Sequence, residues 1–305
     1  MRGPHPSRTV RLIAALSGVV LAATACGGGD AMGEASADEG TIVVGSANFA
    51  ENELLAQMYS EALKKAGFTV ETKLNIGSRE ILYEAMKDGS VNVLPEYNGA
   101  LLSYLDAKDT STTTETVDAA LIELLPANLE VLDPSPAQDK NTVVVTEKTA
   151  EANDLESIAD LAPVAPSLVF AGAPEDKDRY QGLVGLEEVY GLKFKEFKPL
   201  DQAGPLTISA LADGDVGAGI LYSTTPEIEE RGFVALTDPE NVFGVQNVIP
   251  FVNTDTVPDG AADVLDEISA KLDTTTLTEL NARVQIDKDD AVTVARDWLT
   301  ENGLL

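Results

Sequence analysis

The stretch from Pro95 to Gly99 carries residue types that could hold a ligand. It places an aromatic side chain, Tyr97, and a polar one, Asn98, directly after an apolar strand pattern at Val91 and Val93. Side chains at the carboxyl end of a strand line the ligand crevice of an open α/β sheet. We therefore expect Tyr97 and Asn98 to face a ligand; the alternative is a strand-to-helix turn in which the tyrosine is only packed.

Histidine and cysteine chemistry is excluded for most of the chain. The single histidine, His5, and the single cysteine, Cys26, both lie near the N-terminus. Beyond them no His-based triad, Cys nucleophile or zinc site with the usual ligands can form. The acidic runs 213–215 and 287–290 also lack the spacing of a calcium-binding loop. Carboxylate chemistry, lysine chemistry or plain binding remains, and we expect no metal and no cofactor.

The charge balance is strongly acidic. The 305 residues include 51 Asp and Glu against 21 Lys and Arg, for a formal net charge of −30. A surface of this sign repels phosphate backbones and anionic lipid headgroups, so no nucleic-acid partner is expected.

The first 25 residues are typical of an export signal. Arg2, Arg8 and Arg11 precede an apolar run over 12–23 that is too short for a membrane span, which needs about 20 apolar residues. Small residues then lead to Cys26, which resembles a bacterial lipobox whose cysteine is lipidated; ordinary secretion with an unpaired cysteine is the alternative. We expect a signal peptide over 1–25, a Gly-rich flexible tether over 26–40, and a chain held at the outer face of the cell membrane by Cys26.

Strands and helices then alternate with short Gly-marked links, which is typical of parallel, doubly wound α/β sheets. In the first half, strands are predicted at 41–46, 68–74, 91–93 and 129–132, with helices at 51–66, 78–86 and 117–125. After an extended run at 141–146, helices are predicted at 155–161, 182–190 and 206–212, and strands at 168–171, 194–200, 216–222 and 233–236. A returning strand at 248–252 and helices at 261–271, 277–284 and 291–299 complete the pattern. Two α/β lobes joined by two crossings are predicted, with a ligand between them.

Four stretches resemble a known family in their order and spacing. They are Ile42–Asn52, Pro95–Gly99, Tyr222–Thr224 and the closing helix up to Gly303. The chain is similar over 41–303 to substrate-binding proteins of bacterial ABC importers for quaternary amines such as glycine betaine, choline and carnitine. The resemblance implies a two-lobed periplasmic-binding-protein type II fold, with lobe 1 formed by 41–139 plus 247–305 and lobe 2 by 140–246. It implies a monomeric solute receptor, not an enzyme, that delivers its solute to a permease and an ATPase.

The family holds its cationic ligand in a cage of tyrosines, because a trimethylammonium group is bound by aromatic faces. By this resemblance Tyr97 matches a cage tyrosine, Asn52 falls at a polar contact position, and Asn48 lies in the same motif. Tyr180, Tyr190 and Tyr222 are candidates for replacement rings; Tyr222 is the best of them, whereas Tyr190 is expected to lie in a helix core.

Other positions depart from the family pattern. Thr142 stands where a cage tyrosine is expected, another ring is missing near Ile208, and Gln246-Asn247 replaces a tyrosine pair. Arg79 occupies a helix start where the family has a small residue. A pocket with fewer rings and a guanidinium predicts weaker binding of a bare cation.

Three alternatives remain open. Arg79, facing Asn98, Thr142, Gln246 and Asn247, would suit a carboxylated or polyhydroxylated ligand, unless Arg79 is only a solvated first-turn residue. A sensor lobe without transport would have the same sequence pattern. A hydrolase using Glu51 and Glu96 is the third alternative, although their sequence spacing gives no support for it.

Overall fold

Two five-stranded sheets form the framework of residues 40–305, which are the residues that the computed structural model describes. The predicted signal peptide, Cys26 and all but the last residue of the predicted tether lie outside them. The strands are β1 (Thr41–Ala47), β2 (Thr69–Gly77), β3 (Val93–Tyr97), β4 (Leu129–Val131), β5 (Asn141–Thr146), β6 (Val169–Gly172), β7 (Glu196–Pro199), β8 (Ala218–Tyr222), β9 (Phe233–Ala235) and β10 (Val248–Asn253).

The helices cover both faces of the sheets. They are α1 (Ala50–Lys65), α2 (Arg79–Asp88), α3 (Asn98–Leu105), α4 (Thr114–Leu124), α5 (Glu147–Asn153), α6 (Gly185–Tyr190), α7 (Pro205–Ala212), α8 (Glu227–Glu230), α9 (Ala261–Ser269), α10 (Thr274–Gln285) and α11 (Ala291–Glu301). Within residues 40–305, none of them combines the length and the apolar character that a membrane span requires.

The strand order divides the chain into two lobes. The first sheet has the order β2-β1-β3-β10-β4 and, with the helices packed on it, is called lobe 1 below; the second has the order β7-β6-β8-β5-β9 and belongs to lobe 2. The chain passes between them twice, over 132–140 (the first crossing) and 236–247 (the second crossing). The predicted α/β class with two sheets and two crossings is confirmed.

Both sheets are mixed, whereas the α/β alternation predicts parallel ones. In lobe 1, β1 is parallel to β2 and β3, but β10 is antiparallel to β3 and β4. In lobe 2, β5 is antiparallel to β8 and β9. The reversed strands β5 and β10 are those that directly follow a crossing, because the chain enters each sheet there from the opposite end.

Apolar side chains fill both faces of each sheet. In lobe 1, α1 packs with α9, α10 and α11 on one face, and α2, α3 and α4 cover the other. In lobe 2, α5 and α6 cover one face and α7 the other. These layers fix the carboxyl ends of β3 and β8 at the junction of the lobes.

The stretch Pro95–Gly99 differs from its prediction. Pro95 and Tyr97 belong to β3, where Pro95 lies opposite Pro250 of β10, and Asn98 already starts α3. Gly99 is required there, since a Cβ on it would lie 1.9 Å from the carbonyl oxygen of Val245 in the second crossing. The close approach brings the second crossing against the start of α3.

In lobe 2 one predicted helix is corrected and one helix was not predicted. The helix predicted over 155–161 is a single 3-10 turn, Ile158–Leu161, because Asp154 takes a left-handed conformation with φ 55° and interrupts the chain before it. Helix α5, which precedes this break, was not predicted, because a single buried apolar residue, Ala150, gives no helical periodicity of apolar residues.

Candidate functional site

A cavity of about 650 Å³ lies at the junction of the two lobes, and we call it the cleft cavity. Such a volume is in the range of small-molecule sites. Its aromatic lining residues are Phe49, Tyr97, Tyr104, Tyr180 and Tyr222. Its charged lining residues are Arg79, Glu80, Asp139, Glu175, Asp178 and Arg179, and its amides are Asn141, Gln181, Gln202 and Gln246.

Three rings come together where strands of both lobes end. Tyr97 is the last residue of β3 and Tyr222 the last residue of β8, while Phe49 precedes the first turn of α1. The Phe49 ring centroid lies 4.9 Å from that of Tyr222 and 6.1 Å from that of Tyr97. The rings form an aromatic surface contributed by both lobes, which suits a group recognised by π faces.

Tyr97 is anchored from behind by a buried carboxylate. Its hydroxyl donates to Glu51 Oε1 at 2.7 Å, and Glu51 Oε2 accepts from Thr224 Oγ1 and Asn281 Nδ2, both at 2.5 Å. Thr224 follows β8 in lobe 2, whereas the other three residues belong to lobe 1. Burial raises the pKa of Glu51 above its ordinary value, although the three hydrogen bonds act in the opposite direction.

Arg79 lines the cleft cavity, but its charge is paired within lobe 1. Its Nε and Nη2 donate to the two carboxylate oxygens of Glu96 at 2.5 and 2.9 Å, and the side chains are only 16% and 6% exposed. Burial alone would lower the pKa of Arg79; the Glu96 carboxylate more than offsets this and raises it. Because Glu96 neutralises this guanidinium, a ligand could accept only from the N–H groups that do not bind Glu96, and a ligand carboxylate would meet no net positive charge from the pair.

A second guanidinium joins the lobes at the edge of the cavity. Arg179 of lobe 2 donates from Nη2 to both carboxylate oxygens of Glu80 in α2 at 3.0 Å, and from Nε at 3.2 Å. Ser78 Oγ adds a hydrogen bond to Glu80 at 2.5 Å. Partial burial opposes ionisation of Glu80, but the Ser78 hydrogen bond and the Arg179 charge outweigh it and lower its pKa.

The lining therefore favours positive ligands. Four carboxyl and two guanidinium groups border the cavity, and both guanidinium groups are already held by carboxylates. No group of three or more His, Cys, Asp or Glu side chains within residues 40–305 is arranged to hold a metal ion.

Two predicted polar site residues use their side chains to hold the lobe 1 backbone and its helices. Asn98 Nδ2 donates to Asp118 at 2.8 Å, and its Oδ1 accepts two backbone N–H groups, one of them from Asn247. Asn247 Nδ2 donates to the Ser135 carbonyl at 2.8 Å, and its Oδ1 accepts from Thr114 Oγ1 at 2.7 Å. Neither amide borders the cleft cavity.

Three further predicted residues also lie away from the cleft cavity. Asn52 is 2% exposed, accepts from the Ala47 N–H at 2.7 Å and donates to the Pro95 carbonyl at 2.9 Å. Thr142 donates to a backbone carbonyl two residues earlier. Asn48 is exposed and borders a separate cavity of about 330 Å³ on the other side of Phe49 and Tyr222. The structure thus brings Arg79, Tyr97, Tyr222 and Gln246 together, and leaves the other predicted polar residues outside the cleft cavity.

Gln246 connects the second crossing to lobe 2. Its Nε2 donates to Gln181 Oε1 at 2.8 Å and to the Phe243 carbonyl at 2.7 Å, while its Oε1 is buried without a partner. The amide is therefore largely occupied by the protein.

Sequence reasoning missed several lining residues, chiefly Phe49, Glu80, Asp139 and Arg179. Phe49 directly follows β1, and the loop holding Arg179 follows β6, so the rule that ligands bind beyond strand carboxyl ends could have found both. Glu80 and Asp139 carried no comparable signal, because their positions depend on how the lobes meet.

The family assignment comes from comparison with known proteins. A family model described as the substrate binding domain of ABC-type glycine betaine transport system matches residues 40–301. The glycine betaine-binding protein YehZ of Escherichia coli is 28% identical over 277 residues, covering 86% of this chain and 90% of that protein. A glycine-betaine-binding protein of Pseudomonas aeruginosa is 29% identical over 300 residues, covering 92% and 93%.

Solved structures share the fold. The crystal structure of a glycine betaine/carnitine/choline ABC transporter protein has a TM-score of 0.67 at 18% identity, covering 86% of this chain and 99% of that chain. A choline-binding protein in complex with choline has a TM-score of 0.65 at 18% identity, covering 87% and 89%. Taken with the family match over nearly the whole described region, these results identify the chain as a member of the family of substrate-binding domains of ABC-type glycine betaine transport systems.

Proposed function

We propose that the chain captures a small quaternary-ammonium solute, such as glycine betaine or choline, in the cleft cavity and delivers it to the permease and ATPase of its importer. The observation that carries this proposal is the surface formed by Phe49, Tyr97 and Tyr222 beside a lining with excess carboxylates. Aromatic faces attract a methylated ammonium group that can donate no strong hydrogen bond.

In this proposal the cage is altered rather than lost. Rings at Phe49 and Tyr222 compensate for those missing near Thr142 and Gln246, and Tyr104 and Tyr180 border the same space. The pairing of Arg79 with Glu96 weakens the alternative of a carboxylated ligand held by a free guanidinium.

The hydrolase alternative is also disfavoured. Glu96 is bound to Arg79, and Glu51 accepts hydrogen bonds from Tyr97, Thr224 and Asn281. A carboxyl occupied in this way is poorly placed to act as an acid, base or nucleophile, which supports binding without catalysis.

The test compares ligands that differ only in charge. Isothermal titration calorimetry of the purified protein with choline and with 3,3-dimethylbutan-1-ol, its neutral carbon analogue, separates charge from shape. Three rings at about 0.5–2 kcal/mol each predict at least tenfold tighter binding of choline. Equal affinity for the two compounds, or binding only of dicarboxylates and sugars, would contradict the proposal.

We also propose that Cys26 carries a lipid that anchors the chain at the outer face of the cell membrane, and that the chain is a monomer. Metabolic labelling with a fatty-acid analogue, compared with a Cys26→Ala variant, tests the anchor, and light scattering of the purified protein tests the monomer. Solute uptake by cells lacking the gene distinguishes transport from sensing.

A further inference from the structure

Two buried carboxyls, Glu51 and Asp139, lie side by side at the junction of the lobes. They are 2% and 4% exposed, and both are bound to Thr224, which donates its hydroxyl to Glu51 Oε2 at 2.5 Å and its N–H to Asp139 Oδ1 at 3.2 Å. Glu51 lies in the first turn of α1, and Asp139 lies in the first crossing, where it also borders the cleft cavity. Within residues 40–305, the ion pairs include no Lys or Arg bound to either carboxyl.

The hydrogen bonds divide the pair into one carboxylate and one acid. Glu51 accepts from three donors, as an ionised carboxylate prefers. Asp139 accepts only at Oδ1, from the Thr224 N–H at 3.2 Å and Ser223 Oγ at 3.3 Å. Its Oδ2 takes part in neither bond, so it can carry a proton that is donated to Glu51.

The surroundings support this division. Burial, followed by the nearby charge of Glu51, raises the pKa of Asp139 well above its ordinary value of 3.8. The titratable groups facing it from β3 and β8 are the hydroxyls of Tyr97 and Tyr222, whose own pKa values are also raised, first of all by burial. In the protein without ligand, two buried carboxyls held this close favour sharing one proton over both being ionised.

We propose that Asp139, supported by Glu51, is the anionic partner of a cation bound in the cleft cavity, and that binding of the cation releases the shared proton. The inference rests on the proposed function, since it needs a cationic ligand. The step is the ionisation of one carboxyl: the O–H bond of Asp139 breaks, its electron pair stays on the carboxylate, and the proton passes to the solvent.

The affinity for the cation is expected to rise with pH, because binding of the cation and binding of the proton oppose each other. A cation beside Asp139 favours its ionised form and lowers the pKa of the pair in the complex. Between the pKa values of the complex and of the free protein, affinity rises with pH by up to about tenfold per pH unit. Above the free-protein value, the affinity becomes independent of pH.

The experiment is calorimetric titration of the purified protein with choline at pH 7, in phosphate and in Tris buffer. Choline suits the test because its charge does not change in this pH range. The two buffers differ in ionisation enthalpy, so a released proton changes the observed enthalpy between them. We expect release of about 0.3–1 proton per choline bound.

Two variants locate the source of the proton. Asp139→Asn is isosteric with the protonated acid; we expect it to fold, to release no proton and to bind choline about tenfold more weakly at pH 8. Asp176→Asn is the matched control, because Asp176 is a further buried acid, which lies in lobe 2 and has its pKa raised to about 7, chiefly by burial. Proton release is expected to persist in this control.

The outcomes separate the two proposals. Choline binding with the same enthalpy in both buffers would overturn the inference and leave the proposed function standing, and this comparison needs no variant. Loss of proton release in Asp176→Asn but not in Asp139→Asn would also overturn it. If neither choline nor glycine betaine binds in either buffer, the proposed function fails first and the inference with it.

Discussion

Replacing Tyr222 with leucine tests the aromatic surface most directly. Tyr222 ends β8, and its ring packs 4.9 Å from Phe49, so it carries the lobe 2 share of the surface. Tyr222→Leu keeps an apolar side chain of moderate size but removes the π face. We expect weaker binding of choline and glycine betaine, with the fold retained.

The size of the effect follows from the contribution of one ring. A cation–π contact contributes about 0.5–2 kcal/mol, with the upper end reached when the site is desolvated. Because about 1.4 kcal/mol corresponds to tenfold in affinity, Tyr222→Leu should raise Kd by roughly 2- to 30-fold. The Tyr222 side chain is half-buried, which favours the middle part of this range.

Calorimetric titration of both ligands measures this change, and thermal unfolding confirms that each variant is folded. Tyr222→Phe is the matched control, since it keeps the ring and removes only the hydroxyl. Its Kd should stay within about threefold of the wild-type value, because the aromatic face that attracts the cation is retained. The reasoning is refuted if Tyr222→Leu binds choline as the wild type does, or if both variants lose affinity equally.

Three further predictions concern the cavity edge, one buried acid and one close contact. Glu80→Gln breaks the ion pair with Arg179 between the lobes. The pair is partly exposed, so it contributes at most about 1 kcal/mol. The rate of choline release, measured by stopped flow, should therefore increase by up to about fivefold. High salt should remove that difference. The pKa of Asp176 is raised from 3.8 to about 7. Its contribution to the free energy of unfolding is therefore complete below about pH 4 and is lost as the pH rises through 7, a decrease of up to about 4 kcal/mol. Urea denaturation of Asp176→Asn should not show this decrease. Gly99→Ala places a Cβ 1.9 Å from the Val245 carbonyl and should cost roughly 1–3 kcal/mol, which a lower Tm would show and an unchanged Tm would contradict.

Local patterns predicted most of the elements, because a strand or helix depends on the periodicity of neighbouring apolar residues. The strand Asn141–Thr146 was predicted at its observed bounds, and α7 within one residue of its start. Where periodicity was absent, as in α5 with Ala150 as its one buried residue, the prediction failed. The same limit explains the opening of α3, where a proline and an Asn-Gly pair favoured a turn over continuous structure.

By itself, the sequence determined the α/β class, the two lobes and the two tyrosines, Tyr97 and Tyr222, that end strands at the cleft cavity. It could not determine which polar side chains are free to meet a ligand. Arg79, in α2, forms an ion pair with Glu96, in β3. Glu51 is hydrogen-bonded to Thr224 and Asn281, which lie 173 and 230 residues away in the sequence. Long-range packing determines these partners. A buried charge needs a hydrogen-bonding partner, and the fold decides which groups lie close enough to be one. Only the tertiary structure therefore decided that Arg79 is neutralised and that Asp139 faces the ligand space.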